Sequence, residues 1–385
     1  MRILISAGEA SGEFYGAELM KALRKRVSER EPSAEIDFFG VGGEQMRSAG
    51  CELLADASEI AEVGIVEVVK HIPTIYRRFR QVVREAERRR PDAAVLIDFP
   101  DFNLRLAREL HKRGVPVIYY VSPQLWAWKQ GRIERVRKHV RRMLVIFPFE
   151  EQFYSERGIE AQFVGHPLAD LAPPAITREQ FAAEYKLDRS REWIALLPGS
   201  RRAEVSRILP TLLEVAQLLG PDYVYIIPVA STLDPNWISA SVRGYSGPPI
   251  TFTRDARASL LHARAAAVAS GTSTLEAALI GTPFTMVYKV APLTWKLGRR
   301  LVKVDRFAMA NLIAGRDVVQ ELVQKDFTAQ RLCAELLRII PDGEARGKMV
   351  VDFREVRQRL QPSSTAGSAS ERAAQAVLSI MEQQV

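Results

Sequence analysis

The chain has 385 residues, 47% apolar and 26% charged, with a formal net charge of +8 and a pI near 9.5. That composition is globular, leaves room for two ordinary domains, and calls for an anionic partner: nucleic acid, acidic lipid head groups or a phosphorylated substrate. Cys51 and Cys333 match no metal or redox spacing, which points to a reducing cytoplasm. Met1 to Ile5 reads as a short strand broken at Ser6 and not as a signal peptide, and the most apolar neighbourhood, Ala265 to Tyr288, holds Glu276 and Pro283, so neither export nor a membrane span is expected.

In chain order the pattern predicts a strand at Ile3 to Ser6, a helix near Phe14 to Arg26, and a strand at Ile36 to Gly40. A helix begins at Thr74, strands cover Ala94 to Asp98 and Val117 to Val121, and a helix near Asn103 to Arg113 separates them. Short strands at Leu144 to Phe147 and Ala161 to Val164 complete the first series. After Gly165-His166-Pro167 and the break at Pro173-Pro174, a second series follows: Ile194 to Leu197, a helix across Val205 to Leu219, then Tyr223 to Pro228, Ile250 to Thr253, Ala265 to Ala269 and Thr285 to Tyr288. Strand-helix alternation of this kind predicts an α/β fold with two Rossmann-like domains facing across a cleft, at 1–170 and 171–345, with a helical tail at 346–385. The tail contains a flexible linker at Gln361 to Ser368. Its amphipathic helix, Ser370 to Glu382, is expected to pack on the first domain or on a second subunit of a homodimer.

Ligands of such sheets lie beyond the carboxyl ends of the strands, so the loops there carry the information. Ala7-Gly8-Glu9-Ala10-Ser11-Gly12-Glu13 permits close approach at its glycines, and Glu9, Ser11 and Gly12 are candidates for sugar contacts. It is neither a Walker loop nor a dinucleotide loop. In Asp98-Phe99-Pro100-Asp101-Phe102-Asn103, Asp98 is the candidate general base, while Asp101 and Asn103 also suit helix caps. The paired tryptophans of Ser122-Pro123-Gln124-Leu125-Trp126-Ala127-Trp128 suit sugar faces, acyl chains or plain packing. Gly199-Ser200-Arg201 and Ser270-Gly271-Thr272 each join an apolar strand to a helix start, where free amides and a cation suit a diphosphate. Taken singly, each is also an ordinary helix cap. Glu276, one turn further on, can accept from ribose hydroxyls.

Together with Gly165-His166-Pro167-Leu168 and Asn311-Leu312-Ile313-Ala314-Gly315-Arg316, these loops resemble, in order, the lipid-A-disaccharide synthase family of inverting GT-B glycosyltransferases. Glu13 stands where that family usually has Asp, and Ala310 where a proline usually precedes the asparagine. The resemblance implies condensation of UDP-2,3-diacylglucosamine with 2,3-diacylglucosamine 1-phosphate to a β(1→6)-linked disaccharide phosphate and UDP, with no metal and no cofactor. It further implies Asp98 as the base or the group that orients it, and Gly199, Ser200, Arg201, Ser270, Gly271, Thr272 and Glu276 around the nucleotide; Asn311 is expected either to reach the cleft or the diphosphate or to form a turn. His166, at the break between the two series, fits a structural or hinge role rather than catalysis.

Ile72, Ile75, Tyr76, Phe79, Val82, Val83 and Ala86 recur at helical spacing, with Arg77, Arg80, Arg84 and Arg88 largely off the stripe. With the apolar Val63 to Val66 and Val68-Val69, this segment is expected either to rest on the anionic inner face of the cytoplasmic membrane as a peripheral contact or to pack on the sheet. The competing functions are another UDP-sugar enzyme of the same fold, such as a 2-epimerase or a transferase to a soluble acceptor, and a basic nucleic-acid module. No nucleic-acid motif supports the last, so no nucleic acid is expected as partner.

Overall fold

The computed structural model describes residues 1–61, 68–292, 294–296, 305–362 and 366–383. It divides into two compact units, Met1–Asp170 with Leu360–Val385, and Leu171–Arg359.

The first unit is built on seven parallel strands: β1 (Arg2–Ala7), β2 (Asp37–Gly42), β3 (Cys51–Asp56), β4 (Ala93–Ile97), β5 (Val117–Tyr120), β6 (Arg142–Val145) and β7 (Ala161–Phe163), in the order β3-β2-β1-β4-β5-β6-β7. Ile3, Leu4, Ile5 and all of β4 are fully buried, which is why these strands read as unbroken apolar runs: helices cover both faces of the sheet. The edge strand β3 escapes the sequence pattern because Glu52 and Asp56 interrupt its apolar residues.

The helix Val68–Arg89 divides the apolar stripe in two. Val82, Val83 and Ala86 belong to the core, with Ile75 and Phe79 packed against it, while Ile72 and Tyr76 stand 52% and 62% exposed. Val63 to Val66, and the side chains of Val68 and Val69, lie outside the described residues.

The second unit repeats the plan with six parallel strands: β8 (Glu192–Leu197), β9 (Tyr223–Pro228), β10 (Ile250–Thr253), β11 (Ala265–Ala269), β12 (Phe284–Tyr288) and β13 (Glu321–Val323), in the order β10-β9-β8-β11-β12-β13. The tail divides at Arg359. The helix Glu344–Arg359 belongs to this unit, held there by Arg357 on the Leu279 carbonyl and by Arg316 on Asp352 and Glu355. The last helix, Ala369–Glu382, belongs to the first unit. It packs on the Ala10–Arg30 helix, with Glu371 paired to Lys25 at 2.8 Å and Glu382 to Arg30.

Both sheets reverse direction in the same way. The chain winds outward from β1 through β2 to β3 and then returns to the other side of β1 with β4; β8, β9, β10 and β11 do the same. A crevice opens where two neighbouring strands send their following loops to opposite faces, here between β1 and β4 in one unit and between β8 and β11 in the other.

Candidate functional site

At the first reversal Ala7 of β1 lies opposite Ile97 of β4, so Gly8 and Asp98 leave the sheet side by side. A Cβ on Gly8 would stand 2.2 Å from the Phe99 ring, so glycine is needed there. Asp98 and Phe99 both take left-handed backbone, with φ of 43° and 49°. Such strain persists only where the surroundings over-determine it. Here the clamp is Asn103, fully buried, whose Nδ2 donates to the carbonyls of Asp98 (2.9 Å), Ile97 (3.1 Å) and Ser6 (3.2 Å). Its Oδ1 accepts from the Ser6 hydroxyl at 2.7 Å. The Asp98 amide donates to the carbonyls of Tyr120 and Val121, each at 3.2 Å, and the Tyr119 hydroxyl donates to the Asp98 carbonyl. Asn103 is thus a tie between the two loops and not a simple helix cap.

The Asp98 carboxyl is pushed up from 3.8 to about 7, first by burial, then by the charge of Glu9, against one favourable backbone donor from Phe99. A carboxyl poised near neutrality is suited to take a proton from a hydroxyl. Asp101 is different: it is exposed and paired with Arg132. Glu9 is exposed and Ser11 half-buried. Gly12 is buried at 3.6 Å, by its missing Cβ, from Ala7 and Ile97, so it lets the first helical turn pack on the sheet and offers no side chain to a sugar. Glu13 accepts from the Gln45 amide at the start of the helix Glu44–Ser48, which links the first helix to the next loop.

The two tryptophans part company. Trp128 is 39% exposed, with the Lys129 ammonium 4.1 Å above its ring. Trp126 instead donates its indole N–H to Glu150 at 3.0 Å. Glu150 is fully buried and also accepts from the amides of Phe147 (3.1 Å) and Ile146 (3.3 Å). Burial pushes it up to about 8 despite those donors. Sequence reasoning missed this acid, although Pro148 followed by Glu150 is a helix-start signature. A raised folded pKa means that its contribution to stability is complete below the ordinary value near 4.5 and is lost as pH rises through about 8. Glu150→Gln is therefore expected to melt increasingly above wild type as pH is taken from about 6 to about 9, measured by thermal denaturation. His166 is buried, accepts from the Leu168 amide at 3.1 Å and is pushed down to about 3 by that burial. It is a neutral structural side chain.

At the second reversal Leu197 of β8 lies opposite Val268 of β11, which brings Gly199-Ser200-Arg201 beside Ser270-Gly271-Thr272. Gly271 has φ of 142° and precedes the helix Thr272–Ile280 without a side-chain cap. In the first turn of that helix the Thr274 amide donates to the Gly271 carbonyl at 3.1 Å, while the amides ahead of it have no carbonyl one helical turn back to reach. The turn is tied from behind: the Ser270 amide donates to the Val287 carbonyl at 3.0 Å, and Thr274 Oγ1 donates to the Gly271 carbonyl at 2.8 Å and accepts from the Met309 amide at 3.3 Å. Glu276 is pushed up, mainly by burial, with Arg257 opposing, and has no hydrogen-bond partner among the described residues. Ser200 and Arg201 are exposed, and the Thr232 hydroxyl donates to the Ser200 carbonyl at 2.8 Å.

Asn311 has its side chain built into a turn, one of the two roles its sequence position allowed. It is fully buried: Nδ2 donates to the Val319 carbonyl (2.9 Å) and to Glu321 (2.8 Å), and Oδ1 accepts from the amides of Val318 (2.7 Å) and Val319 (2.9 Å). With every polar atom committed inward, it holds the Met309–Ala314 helix in place. Ala310 falls in the first turn of that helix, where a proline's missing N–H would cost nothing and an alanine's is equally tolerated. Among the described residues no group of three or more His, Cys, Asp or Glu side chains is gathered as a metal site. None of the described helices is long and apolar enough to cross a membrane.

A family model described as lipid-A-disaccharide synthetase matches residues 3–377. The chain is 56% identical over 383 residues to the lipid-A-disaccharide synthase of Koribacter versatilis, covering 99% of each. It is 48% identical to that of Acidobacterium capsulatum, covering 96% of this chain and 93% of the other. Among solved structures it is similar in fold to the glycosyltransferase of kitacinnamycin, with a TM-score of 0.64 at 16% identity over 100% and 99% of the two chains. The UDP-GlcNAc 2-epimerase of Neisseria meningitidis, bound to UDP-GlcNAc, gives 0.63 at 11% identity over 100% of both.

Proposed function

The chain belongs to the lipid-A-disaccharide synthase family, and from that membership we propose that its first unit holds the acceptor and the base while its second holds the UDP-sugar. It is a GT-B glycosyltransferase of lipid A biosynthesis that uses a UDP-sugar donor and a lipid acceptor. The substrates are UDP-2,3-diacylglucosamine and 2,3-diacylglucosamine 1-phosphate. The observation that supports this division is that each sheet's reversal gathers one chemically distinct set: an acid near neutrality at β1/β4, and two strand-to-helix turns with Arg201 at β8/β11.

In the reaction the acceptor 6-hydroxyl forms the new bond to the anomeric carbon and gives its proton to Asp98. The bond from that carbon to the diphosphate oxygen breaks on the opposite face, inverting the centre, and its electron pair leaves with UDP. Charge developing on the diphosphate is met by Arg201 and by the amides at Gly199 to Arg201 and Gly271 to Ser273. Glu276, whose carboxyl has no hydrogen-bond partner among the described residues, takes the ribose hydroxyls; Glu276→Gln is expected to weaken UDP binding by about 3–10-fold, checked by titration calorimetry. Incubating the protein with both diacylated sugars should give the disaccharide by mass spectrometry together with free UDP. Formation of neither would remove the assignment and favour a soluble acceptor.

Peripheral contact with the anionic inner face of the cytoplasmic membrane is supported by Ile72 and Tyr76, exposed on a helix whose Arg77, Arg80 and Arg84 are exposed as well. Apolar side chains set among cations suit a lipid surface. The protein is expected to float with anionic vesicles at low salt, and the double change Ile72→Ser with Tyr76→Ser to sink. Failure of wild type to float would defeat membrane contact.

A further inference from the structure

One side chain at the second reversal has no part in the scheme above and lies in the middle of it. Glu204 is in the first turn of the helix Arg202–Leu219, and its carboxylate folds back over the preceding turn. Oε2 accepts from the Ser200 amide at 3.1 Å, and the Arg201 backbone donor faces it as well. A Cβ on Gly199, whose φ is 112°, would stand 2.0 Å from the same oxygen. The positive φ is what requires glycine there, and the missing side chain leaves the Glu204 carboxylate room to lie over the turn. A carboxylate already occupies the amide donors that the diphosphate is to use.

We propose that Glu204 sets donor affinity: its carboxylate holds the Gly199–Arg201 turn when the site is empty, and it takes up a proton from solvent when a nucleoside diphosphate claims those amides. The inference rests on the assignment of this turn to the diphosphate. Two anions cannot share one set of amides without repulsion, and protonating the carboxyl removes it. Burial already pushes the Glu204 carboxyl up from its ordinary value; the Arg201 guanidinium opposes that shift, and an arriving diphosphate adds to it. Among the described residues, the titratable and charged groups facing Glu204 are Arg201, on the same turn, and Tyr288 at the end of β12. Tyr288 is pushed above its ordinary range by burial and by Glu204, so it stays neutral and does not compete for the proton.

A plain helix-capping glutamate makes different predictions, because glutamine caps the same position. In Glu204→Gln the turn keeps its side-chain acceptor and loses only the charge. UDP binding is to be measured by calorimetry for wild type and Glu204→Gln across about pH 6 to 8, in buffers of differing ionisation enthalpy. Titration of the UDP terminal phosphate is common to both proteins and cancels in the difference. Wild type is expected to take up more protons than the variant, and the variant to bind about 3–10-fold tighter at about pH 8, converging on wild type as pH falls. Equal affinities and equal proton uptake at every pH would overturn the inference while leaving the diphosphate site standing. UDP binding to neither protein would overturn the site assignment, and the inference with it.

Discussion

Asp98→Asn is expected to lower turnover by about 10²–10⁴-fold, the range for loss of a positioned base, while UDP affinity and fold are retained. The carboxylate is needed ionised, and the surroundings hold its pKa at about 7 in place of 3.8. Activity of the wild type, as kcat/KM, should therefore fall on the acid side of about pH 7. Because Glu9 contributes to that elevation, Glu9→Gln should move the acid limb to lower pH. The same shift has a stability consequence of fixed sign. The folded protein keeps a proton on Asp98 that the unfolded chain has released, so the associated stability is complete below the ordinary carboxylate value and is lost as pH rises through about 7. Asparagine carries no such loss. The variant should melt above wild type at about pH 8 and alongside it at about pH 4, with catalysis and stability moving in opposite directions, as they do at strained sites. Near-normal turnover would sink the assignment.

That Asp98 stands at a strand end was visible in the sequence, as were most loops of interest, because parallel strands buried on both faces write themselves as apolar runs ending in glycine, serine or acid. Strand order was not visible. Nothing near Ala7 says that β4 and not β2 will bring Asp98 beside Gly8, or near Leu197 that β11 will bring Ser270 beside Gly199; the reversals arise from pairings about 70–90 residues apart. For Asn311 the cause is local. It sits among residues that suggested a nucleotide contact beside a turn, and its partners at Val318, Val319 and Glu321, only 7–10 residues on, settle its side chain into the turn that leads to β13. Glu150 and Glu204 were passed over because a glutamate early in a helix looks like a cap, and both do cap. What gives Glu150 more is burial against Trp126 from another loop, and what gives Glu204 more is the way it folds back over the Gly199 turn just before it.

Arg201→Ala is the second large effect. Arg201 is exposed at the helix start, so its loss should leave the melting temperature nearly unchanged. A diphosphate robbed of a charge-assisted hydrogen bond should bind about 10–10²-fold more weakly. Turnover at saturating donor should fall further, by about 10²–10³-fold, since charge on the departing diphosphate grows as the anomeric bond breaks and the guanidinium stabilises that state more than the ground state. Lysine at this position should recover part of the binding and less of the turnover, because an ammonium is a point charge that cannot meet two oxygens side by side. Glu204 supplies an internal check. Arg201 lowers its proton affinity, so removing the guanidinium should raise that affinity and change the proton uptake that accompanies UDP binding. Steady-state kinetics, UDP calorimetry and a melting curve on the two variants test all of this together. Turnover of Arg201→Ala within about threefold of wild type would show that the helix-end amides carry the leaving group unaided.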